Sequence, residues 1–572
     1  MTAPRTLLRP LLLLAIIACS SAQFPYTTAP PGDQIEPIKE PLPSTWVEPP
    51  KPQTGMCGHI AEEWQVLKHH VKSLHGQGTM LEALSHHVRE LTEHIRHLTE
   101  RVNNCKCGGD EDRFGQEELI KAIGAILKMS MLFFEAQRSG PLPATNQIPW
   151  RQNSGMNDTG YNKENLTGGW YEGATGVKSM LPMAYSTTVL IVGMLIGGDA
   201  YEKTGLEGEM IDSIKWPLDY FMKCHTKPNE FYVQVDEPFL HAWMRPEEVM
   251  VAQPAYLLNE TGSAVAADTA AALAAGSMLF RDIDQIYADR MLNQAREWYK
   301  FAYMVRKPFE KATALPNDIN DELAWGALWL NLATEEEQYV EMAKEFMTLK
   351  VPETFSYLDK TVGAQLIYSQ VSNDTGYREA VESFLRQWFP GGTVKYSPRG
   401  LAAFRPEGGS IGYAANAAFI AVSAAHFDIL REEGIKFARS QLEYILGVGE
   451  HEGRSFMVAH GRDWPQHARH AASACDQTCK SEDQAGPNTH MLIGAVVAGP
   501  GIDDEFPDDR TDMLRNNVSI TYNAGFQSTI AAILGSLLNL EEFGGDGGSP
   551  GDSPGVSPGY PDQAPGTAQP TA

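Results

Sequence analysis

A regular run of apolar residues between Cys57 and Cys105 constrains the fold of this 572-residue chain more than any other feature of its sequence. The run recurs in steps that alternate between three and four residues, which is the spacing of a heptad repeat. One extra step of three residues, between Leu81 and Leu84, is a stammer, and Gly78 lies beside it. The core positions are Cys57, Ile60, Trp64, Leu67, Val71, Leu74, Gly78, Leu81, Leu84, Val88, Leu91, Ile95, Leu98, Val102 and Cys105. This pattern, sustained for about seven heptads, predicts a coiled coil across residues 56–107.

The two kinds of core position hold different side chains. The β-branched set is Val71, Val88, Ile95 and Val102, and the leucine set is Leu67, Leu74, Leu91 and Leu98. This division favours a parallel two-stranded coil, with a trimer as the alternative. In a parallel homo-oligomer, Cys57 at one end and Cys105 and Cys107 at the other face their counterparts, so we expect interchain disulfides. The competing interpretation is an amphipathic helix that packs on the globular domain of its own chain.

Half of the 16 histidines lie in the same segment: His59, His69, His70, His75, His86, His87, His94 and His97. Because histidine titrates at about pH 6.5, acidification would place like charges beside the helix interface. His87, Glu90 and His94 also share one helical face and could hold a divalent metal. Solvated polar positions, pH-responsive assembly and metal binding therefore stay open for these residues.

The N-terminus of the chain predicts secretion. Arg5 and Arg9 precede an apolar run and a small-residue cleavage site, which predicts a signal peptide over residues 1–22. Residues 23–55 are rich in proline and predict an extended linker, and residues 543–572 predict a disordered Gly/Pro/Ser-rich tail. Five N-glycosylation acceptors fit the extracellular compartment: Asn157, Asn165, Asn259, Asn373 and Asn517.

Charge and hydropathy exclude several partners. The formal net charge of −26 argues against nucleic acid and anionic membranes, which need clustered Lys and Arg. After the signal, no segment reaches about 18 uninterrupted apolar residues, so we expect no membrane span. The sequence predicts no cofactor. His460, His467 and His470 lack a convincing set of zinc partners.

Residues 115–542 alternate amphipathic stretches with Gly/Pro-rich connections. The clearest predicted helices span 264–280, 284–303, 414–432 and 434–445, the last two as a pair. Sustained period-two runs are missing from the sequence, so the pattern predicts an all-α domain without specifying its architecture.

Ordered motifs in this domain resemble the glycoside hydrolase family nine endoglucanases. They are Phe134–Pro143, Leu166–Tyr171, Leu181–Ala184, Arg245–Glu248, Asp268–Ala272, Tyr444–Gly447 and Asp508–Phe526. The resemblance implies an (α/α)6 six-hairpin barrel with a glycan-binding cleft at one end. It also implies an inverting reaction, in which one carboxylate activates water and a carboxylic acid across the cleft protonates the leaving oxygen.

The chain departs from that family at the residues that carry the chemistry. The family's first loop reads Asp-Ala-Gly-Asp-His, where this chain has Glu172 at the first aspartate and Thr175 at the water-activating one. Asn517 occupies the position of the proton donor and also opens an Asn-Val-Ser acceptor. Losing a general acid or base costs about 10²–10⁴-fold each, so we expect no intact catalytic set.

The family's substrate-contacting Pro-His-x-Arg motif also changes, with Arg469 at the His position and Ala471 at the Arg position. The substrate-binding remnants that we expect are Arg469, His470, Asp508, Asp512 and Tyr522, of which several hold the loop rather than do chemistry. Cys475 and Cys479 are close enough for a local disulfide, and Cys224 is predicted to be a buried free thiol.

The leading hypothesis is a secreted, disulfide-linked homo-oligomeric glycoprotein that displays catalytically silent barrels on a coiled-coil stalk. Its role would be structural or glycan-binding, in an extracellular matrix or coat. The first alternative is an active endo-β-1,4-glucanase, inverting, that works through Glu172. The second is a pH- or metal-responsive extracellular assembly.

Overall fold

The computed structural model describes residues 111–236, 243–258, 260–309, 318–372, 374–476 and 481–542. The predicted signal peptide, linker, coiled coil and tail lie outside these ranges. So do several residues of the sequence hypotheses, which therefore stay predictions: Cys57, Cys105, Cys107, Cys479, His87, His94, Asn259 and Asn373.

Twelve of the helices in the described residues form six hairpins around a common axis. The inner members are α2 (Met180–Thr204), α4 (Ser263–Leu279), α6 (Asn320–Thr334), α8 (Thr361–Val371), α10 (Ile411–His426) and α13 (Ile520–Glu542). The outer members are α1 (Glu111–Ala136), α3 (Glu207–Cys224), α5 (Gln285–Val305), α7 (Glu337–Lys344), α9 (Thr375–Trp388) and α11 (Arg431–Leu446). A short helix α12 (Ala471–Ala474) and two 3₁₀ turns (Pro246–Glu248 and Gly449–His451) lie in the connections.

The inner helices pack side by side into a closed ring. Each contacts the next, and α13 contacts both α10 and α2, which completes the circle. These helices are apolar on all faces, whereas the outer helices carry one apolar stripe that faces the ring. Close approach needs small residues: a Cβ on Gly193 of α2 would lie 2.4 Å from Ser528 Oγ of α13. The arrangement is an (α/α)6 barrel and confirms the predicted fold class.

Helix α2 is long and apolar enough to cross a membrane by composition alone. However, 83% of its most apolar window is buried inside the barrel. It is the core helix of the ring, which accounts for its apolar character.

The two ends of the barrel differ in their connections. Residues 205–206, 335–336 and 372–374 link inner helices to the outer helices that follow them. Connections that lead into inner helices are long, such as residues 225–262 and 447–519. The long segments gather at the N-terminal ends of the inner helices, and this end carries the candidate site.

A small antiparallel sheet, which the sequence did not predict, lies among these long connections. Its strands are β1 (Lys178–Ser179), β2 (His225–Lys227), β3 (Glu230–Val235) and β4 (Ala255–Leu258). Strand β3 pairs with the other three, with Lys178 opposite Val235 and Tyr232 opposite Leu257. Most of β3 is buried, so it shows no alternation of polar and apolar residues. The sheet fixes the chain directly after the first family loop.

The helix boundaries follow backbone conformation. The prediction placed one helix over 414–432, but α10 ends at His426. Asp428 and Leu430 adopt left-handed φ values of 53° and 46°, which break the helix before α11 begins. The predicted helices over 264–280 and 284–303 correspond to α4 and α5, and Asp284 caps α5 by accepting from Tyr287 N.

A buried charge cluster ties three inner helices together beneath the cleft end. Lys360 Nζ lies 2.9 Å from Asp268 Oδ2 and 3.0 Å from Glu322 Oε1, and all three side chains are fully buried. Burial raises the pKa of Glu322 well above its ordinary value and that of Asp268 to about 6. Burial alone would lower the pKa of Lys360, but the two carboxylates more than offset it and the net pKa is raised. Lysine therefore stays charged here, and burial favours the uncharged form of Glu322.

Candidate functional site

Three segments of the long connections meet where the site is expected. The loop that starts at Glu172 is closed by a hydrogen bond from Glu172 N to Val177 O at 3.0 Å. Gly173 pairs with Ser519, and a Cβ there would lie 2.1 Å from Val518 O, so glycine is required. Ala471 N donates to Ala174 O at 2.8 Å, which adds the third segment.

Glu172 is the one carboxyl among the three catalytic positions of the resemblance. Its side chain is half-buried, and Ser519 Oγ donates to its Oε1 at 2.5 Å. Burial raises its pKa, while the Ser519 hydrogen bond opposes part of the rise. The carboxyl is thus held between two backbone segments by a hydroxyl donor.

Thr175 is exposed at the tip of the same loop, and its hydroxyl makes no hydrogen bond to any residue that the structure describes. A threonine hydroxyl does not ionise near neutral pH, so it cannot take a proton from water as a carboxylate does. The general base of the resemblance has no substitute at this position.

Asn517 lies across from this loop, in a segment with paired backbone. It forms a parallel bridge with Arg469, and its carbonyl accepts from Ala498 N at 2.9 Å. Its Oδ1 is buried and has no hydrogen-bond partner among the described residues. Burial and the charge of Glu172 raise the pKa of Tyr522, and the Asn517 amide opposes them, so these three side chains are neighbours. An amide in this place can donate and accept hydrogen bonds, but it has no acidic proton to transfer to a leaving group.

Arg469 is held by partners that the sequence analysis missed. Its Nε donates to Glu482 Oε1 at 2.5 Å, and its guanidinium lies 5.3 Å from the ring centre of Trp243. Arg469 N also donates to Asn516 O at 2.7 Å. The segment that contains Cys475 and Cys479 separates Arg469 from Glu482 in the sequence, so no local sequence pattern predicts their contact.

His470 lies below the surface as the cap of α12. Its Nδ1 accepts from Ser473 N at 3.1 Å, and its ring meets Trp150 edge-on at 6.1 Å. Burial lowers the pKa of His470 to about 3, so the ring is neutral. This position suits the support of Arg469 and Ala471 more than contact with a ligand.

Asp508 and Asp512 hold the turn that precedes Asn517. Asp508 accepts from Gln466 N at 2.8 Å and from Asn516 Nδ2 at 2.9 Å. Asp512 accepts from Arg515 N and pairs with its guanidinium at 3.0 Å. Both carboxylates are engaged within the chain, as expected for residues that shape a loop.

Two further tyrosines and an arginine complete the site. Burial raises the pKa of Tyr357, and the charge of Glu172 raises it further. Tyr413 also raises this pKa, whereas Arg405 lowers it. Arg405 lies 4.9 Å above the ring of Tyr413. Each of these residues precedes or opens an inner helix, which is the positional signal that would have found them. The family resemblance implies a glycan-binding cleft at this end of the barrel, and we therefore call the region bounded by Glu172, Asn517, Tyr522, Tyr357 and Tyr413 the cleft.

The cysteines and acceptors fall as follows. Cys475 is disulfide-bonded, and its partner lies outside the described residues, so the pairing with Cys479 stays a prediction. Cys224 is a fully buried free thiol, as predicted, and burial raises its pKa to about 12.

The predicted glycosylation acceptors differ in exposure. Asn157 and Asn165 are exposed, whereas Asn517 is half-buried, and the hydroxyl of Ser519 in its Asn-Val-Ser acceptor donates a hydrogen bond to Glu172. Within the described residues, no three His, Cys, Asp or Glu side chains gather as a metal site.

Two concentric rings of six helices, with aromatic residues and a glutamate at the N-terminal ends of the inner ring, define an (α/α)6 barrel of the glycoside hydrolase type. The Glycosyl hydrolase family 9 pattern matches residues 124–530, and the chain belongs to this family.

Individual relatives agree with that assignment. Endoglucanase A of Bacillus pumilus is 39% identical over 436 residues, which are 72% of this chain and 66% of that protein. The solved endoglucanase of the termite Nasutitermes takasagoensis is 35% identical, with a TM-score of 0.69, over 72% of this chain and 99% of that one. Endoglucanase CelQ of Clostridium thermocellum, solved with cellotriose, is 28% identical with a TM-score of 0.65, over 73% and 71% of the two chains. The chain therefore spans about two thirds of the length of its Bacillus relative.

Proposed function

We propose that this protein is a secreted, disulfide-linked oligomeric glycoprotein whose barrel binds a glycan without cleaving it, as a structural or recognition component of an extracellular matrix or coat. The observation that carries the proposal is Asn517, an amide at the proton-donor position of the family. Thr175 removes the general base as well, so neither half of an inverting reaction has its carboxyl group.

Unpartnered polar atoms support binding in the same place. Asn517 Oδ1 is a buried acceptor and Trp243 Nε1 a buried donor, and neither has a partner among the described residues. A buried polar group without a hydrogen bond is costly, and sugar hydroxyls supply both donors and acceptors. The tyrosines of the cleft add flat surfaces for sugar rings. These groups support the binding of a sugar where the catalytic groups are lost.

The direction of the chain fits display on a stalk. Helix α1 ends beside the cleft, because Gln137 O accepts from Tyr171 N at 2.9 Å. At about 1.5 Å per residue, its first residue, Glu111, lies about 38 Å from that end. Helix α13 starts at the cleft with Ile520 and runs the opposite way to Glu542. A stalk before Glu111 would therefore join the barrel at the end opposite the cleft and leave every cleft open for multivalent binding.

The test of catalysis measures reducing ends released from soluble cellulose by the native protein, with binding measured on the same polymer by affinity electrophoresis. The proposal expects retardation of the protein and no turnover above a heat-denatured control. Binding with measurable turnover contradicts it, and so does the absence of both.

The test of assembly compares nonreducing and reducing gels of the secreted protein. We expect an oligomer that dissociates on reduction, and a variant with Cys57, Cys105 and Cys107 all replaced by Ser that runs as a monomer in both. Identical monomer bands for the native protein contradict the assembly. Glycopeptide mass spectrometry at Asn157, Asn165 and Asn517 tests the glycoprotein part, and an occupied Asn517 would obstruct the cleft.

The second candidate is an active endo-β-1,4-glucanase, favoured by the state of Glu172. Burial raises the pKa of Glu172, so this carboxyl keeps its proton to higher pH than an ordinary glutamate, as a general acid must. Turnover by the native protein that disappears in Glu172→Ala would establish this reaction. Turnover that survives the substitution would point to contamination by another enzyme.

A further inference from the structure

The arginines around the cleft differ in their partners. Arg469 pairs with Glu482, and Arg515 pairs with Asp512. Arg151, on the same end of the barrel, pairs with Glu247 at 2.5 Å. Each of these guanidinium groups is neutralised within the chain, so none of them offers free charge to a ligand.

Arg405, beside Tyr413 at the mouth of the cleft, differs from these three arginines. Its side chain is exposed and lies over the ring of Tyr413, and no carboxylate among the described residues pairs with it. Its backbone is fixed, because Arg405 N donates to Ser410 Oγ at 3.0 Å and Arg405 O accepts from the same hydroxyl at 2.8 Å. Ser410 is fully buried. The guanidinium is therefore an unpaired positive charge on a rigid base, partly desolvated by an aromatic face.

The substitutions in the cleft change its charge in the same sense. Two positions that carry carboxylates in the family hold Thr175 and Asn517, and both are neutral. In a family cleft with both catalytic carboxylates, a carboxylate on the ligand would be repelled by two like charges. In this chain it would instead meet the amide of Asn517, the hydroxyl of Thr175 and the positive charge of Arg405. Glu172 is the remaining carboxyl, and its burial favours the uncharged form.

We propose that the cleft selects an acidic polysaccharide, a β-1,4-linked chain that bears carboxylate groups. In this proposal Arg405 is the residue that binds the carboxylate. This inference rests on the proposed glycan-binding function and names the class of its ligand. A guanidinium presents its donors in a planar fork that matches a carboxylate. Arg405 can therefore make one charge-assisted contact, with one acidic sugar of the bound chain.

The test compares carboxymethylcellulose with hydroxyethylcellulose of matched chain length, by affinity electrophoresis at low and high salt. We expect the native protein to bind the carboxymethyl polymer about tenfold more tightly, the size of one charge-assisted contact, and salt to reduce this preference. Arg405→Met keeps the apolar stem over Tyr413 and removes the charge, so it should bind both polymers equally. Arg290→Met is the matched control, an exposed arginine near the start of α5 at the other end of the barrel, and should behave as the native protein.

The outcomes separate this inference from the function on which it rests. Equal binding of both polymers by the native protein, or a preference that Arg405→Met retains, overturns the inference and leaves glycan binding in place. Failure to bind either polymer contradicts the proposed function itself, and the inference with it. Reducing ends are measured in parallel, so that cleavage of the polymer is not taken for loss of binding.

Discussion

Ser519 donates to Glu172 over 2.5 Å, and this bond joins the loop before α2 to the segment before α13. Ile520 N donates to Glu172 O at 2.9 Å and doubles the connection. The carboxyl that remains in the cleft is therefore part of the joint between two segments.

The first prediction concerns Glu172 and pH. Its pKa is raised in the folded protein, so the folded state binds its proton more tightly than the unfolded chain does. Stability is therefore lost as pH rises from the unfolded value, about 4.3, through the raised folded value. Glu172→Gln still accepts from Ser519 but carries no charge. We expect it to raise the free energy of unfolding at pH 8 and to leave it unchanged at pH 4.

Chemical denaturation of both proteins at the two pH values measures this difference. Glu379→Gln is the control, because Glu379 is exposed in α9, and it should show no pH-dependent gain. A gain for Glu172→Gln that is equal at both pH values would mean that charge is not its cause.

The second prediction concerns recovery of catalysis. Thr175→Asp and Asn517→Glu restore the base and the acid of the family, and each group contributes about 10²–10⁴-fold. We expect each single variant to stay without turnover and the double variant to release reducing ends from soluble cellulose slowly. Arg469 and Ala471 still differ from the family, so the rate should stay far below that of the Bacillus relative.

The control for this experiment is Asn517→Gln combined with Thr175→Asp, which restores size but not acidity. Turnover in the control would show that the recovered activity does not need the proton donor. A folded but silent double variant would place the loss of activity in the altered ligand contacts instead.

The all-α class was predictable from helical periodicity, and the barrel architecture was predictable only from the ordered motifs that the chain shares with the family. The Ala-rich stretch from Asp268 to Ala272 needs only small residues at helix contacts, and such composition is visible in the sequence. The small sheet was not predictable from periodicity, because Phe231 to Val235 are buried on both faces and read as a continuous run.

The site was predictable only where a family position marks it. Glu172, Thr175 and Asn517 were located in this way, and the structure brings Glu172 and Asn517 together through Tyr522. Glu482 and Arg405 were missed, because each matters through a contact made in three dimensions. Their roles follow from what they pair with, or do not pair with, after folding.

The third prediction concerns the ion pair that replaces the family's histidine. Arg469 is largely buried and Glu482 is its carboxylate partner at 2.5 Å. Glu482→Gln leaves the guanidinium without a counter-charge, so we expect a loss of about 2 kcal/mol in the free energy of unfolding. The double variant Arg469→Met with Glu482→Gln removes both charges and should lose less than the single variant. A double-mutant cycle by chemical denaturation measures the coupling, and additive losses would show that the pair contributes nothing.

The fourth prediction concerns the cluster beneath the cleft. Lys360 stays charged between Asp268 and Glu322, while burial favours the uncharged form of Glu322. An amide resembles a protonated carboxyl, so Glu322→Gln should change the free energy of unfolding by less than about 1 kcal/mol. Lys360→Met leaves Asp268 buried beside no positive charge and should cost about 3–5 kcal/mol. Thermal and chemical unfolding of the two variants at pH 7 decide the assignment, because a large loss for Glu322→Gln would mean that Glu322 carries the charge that Lys360 balances.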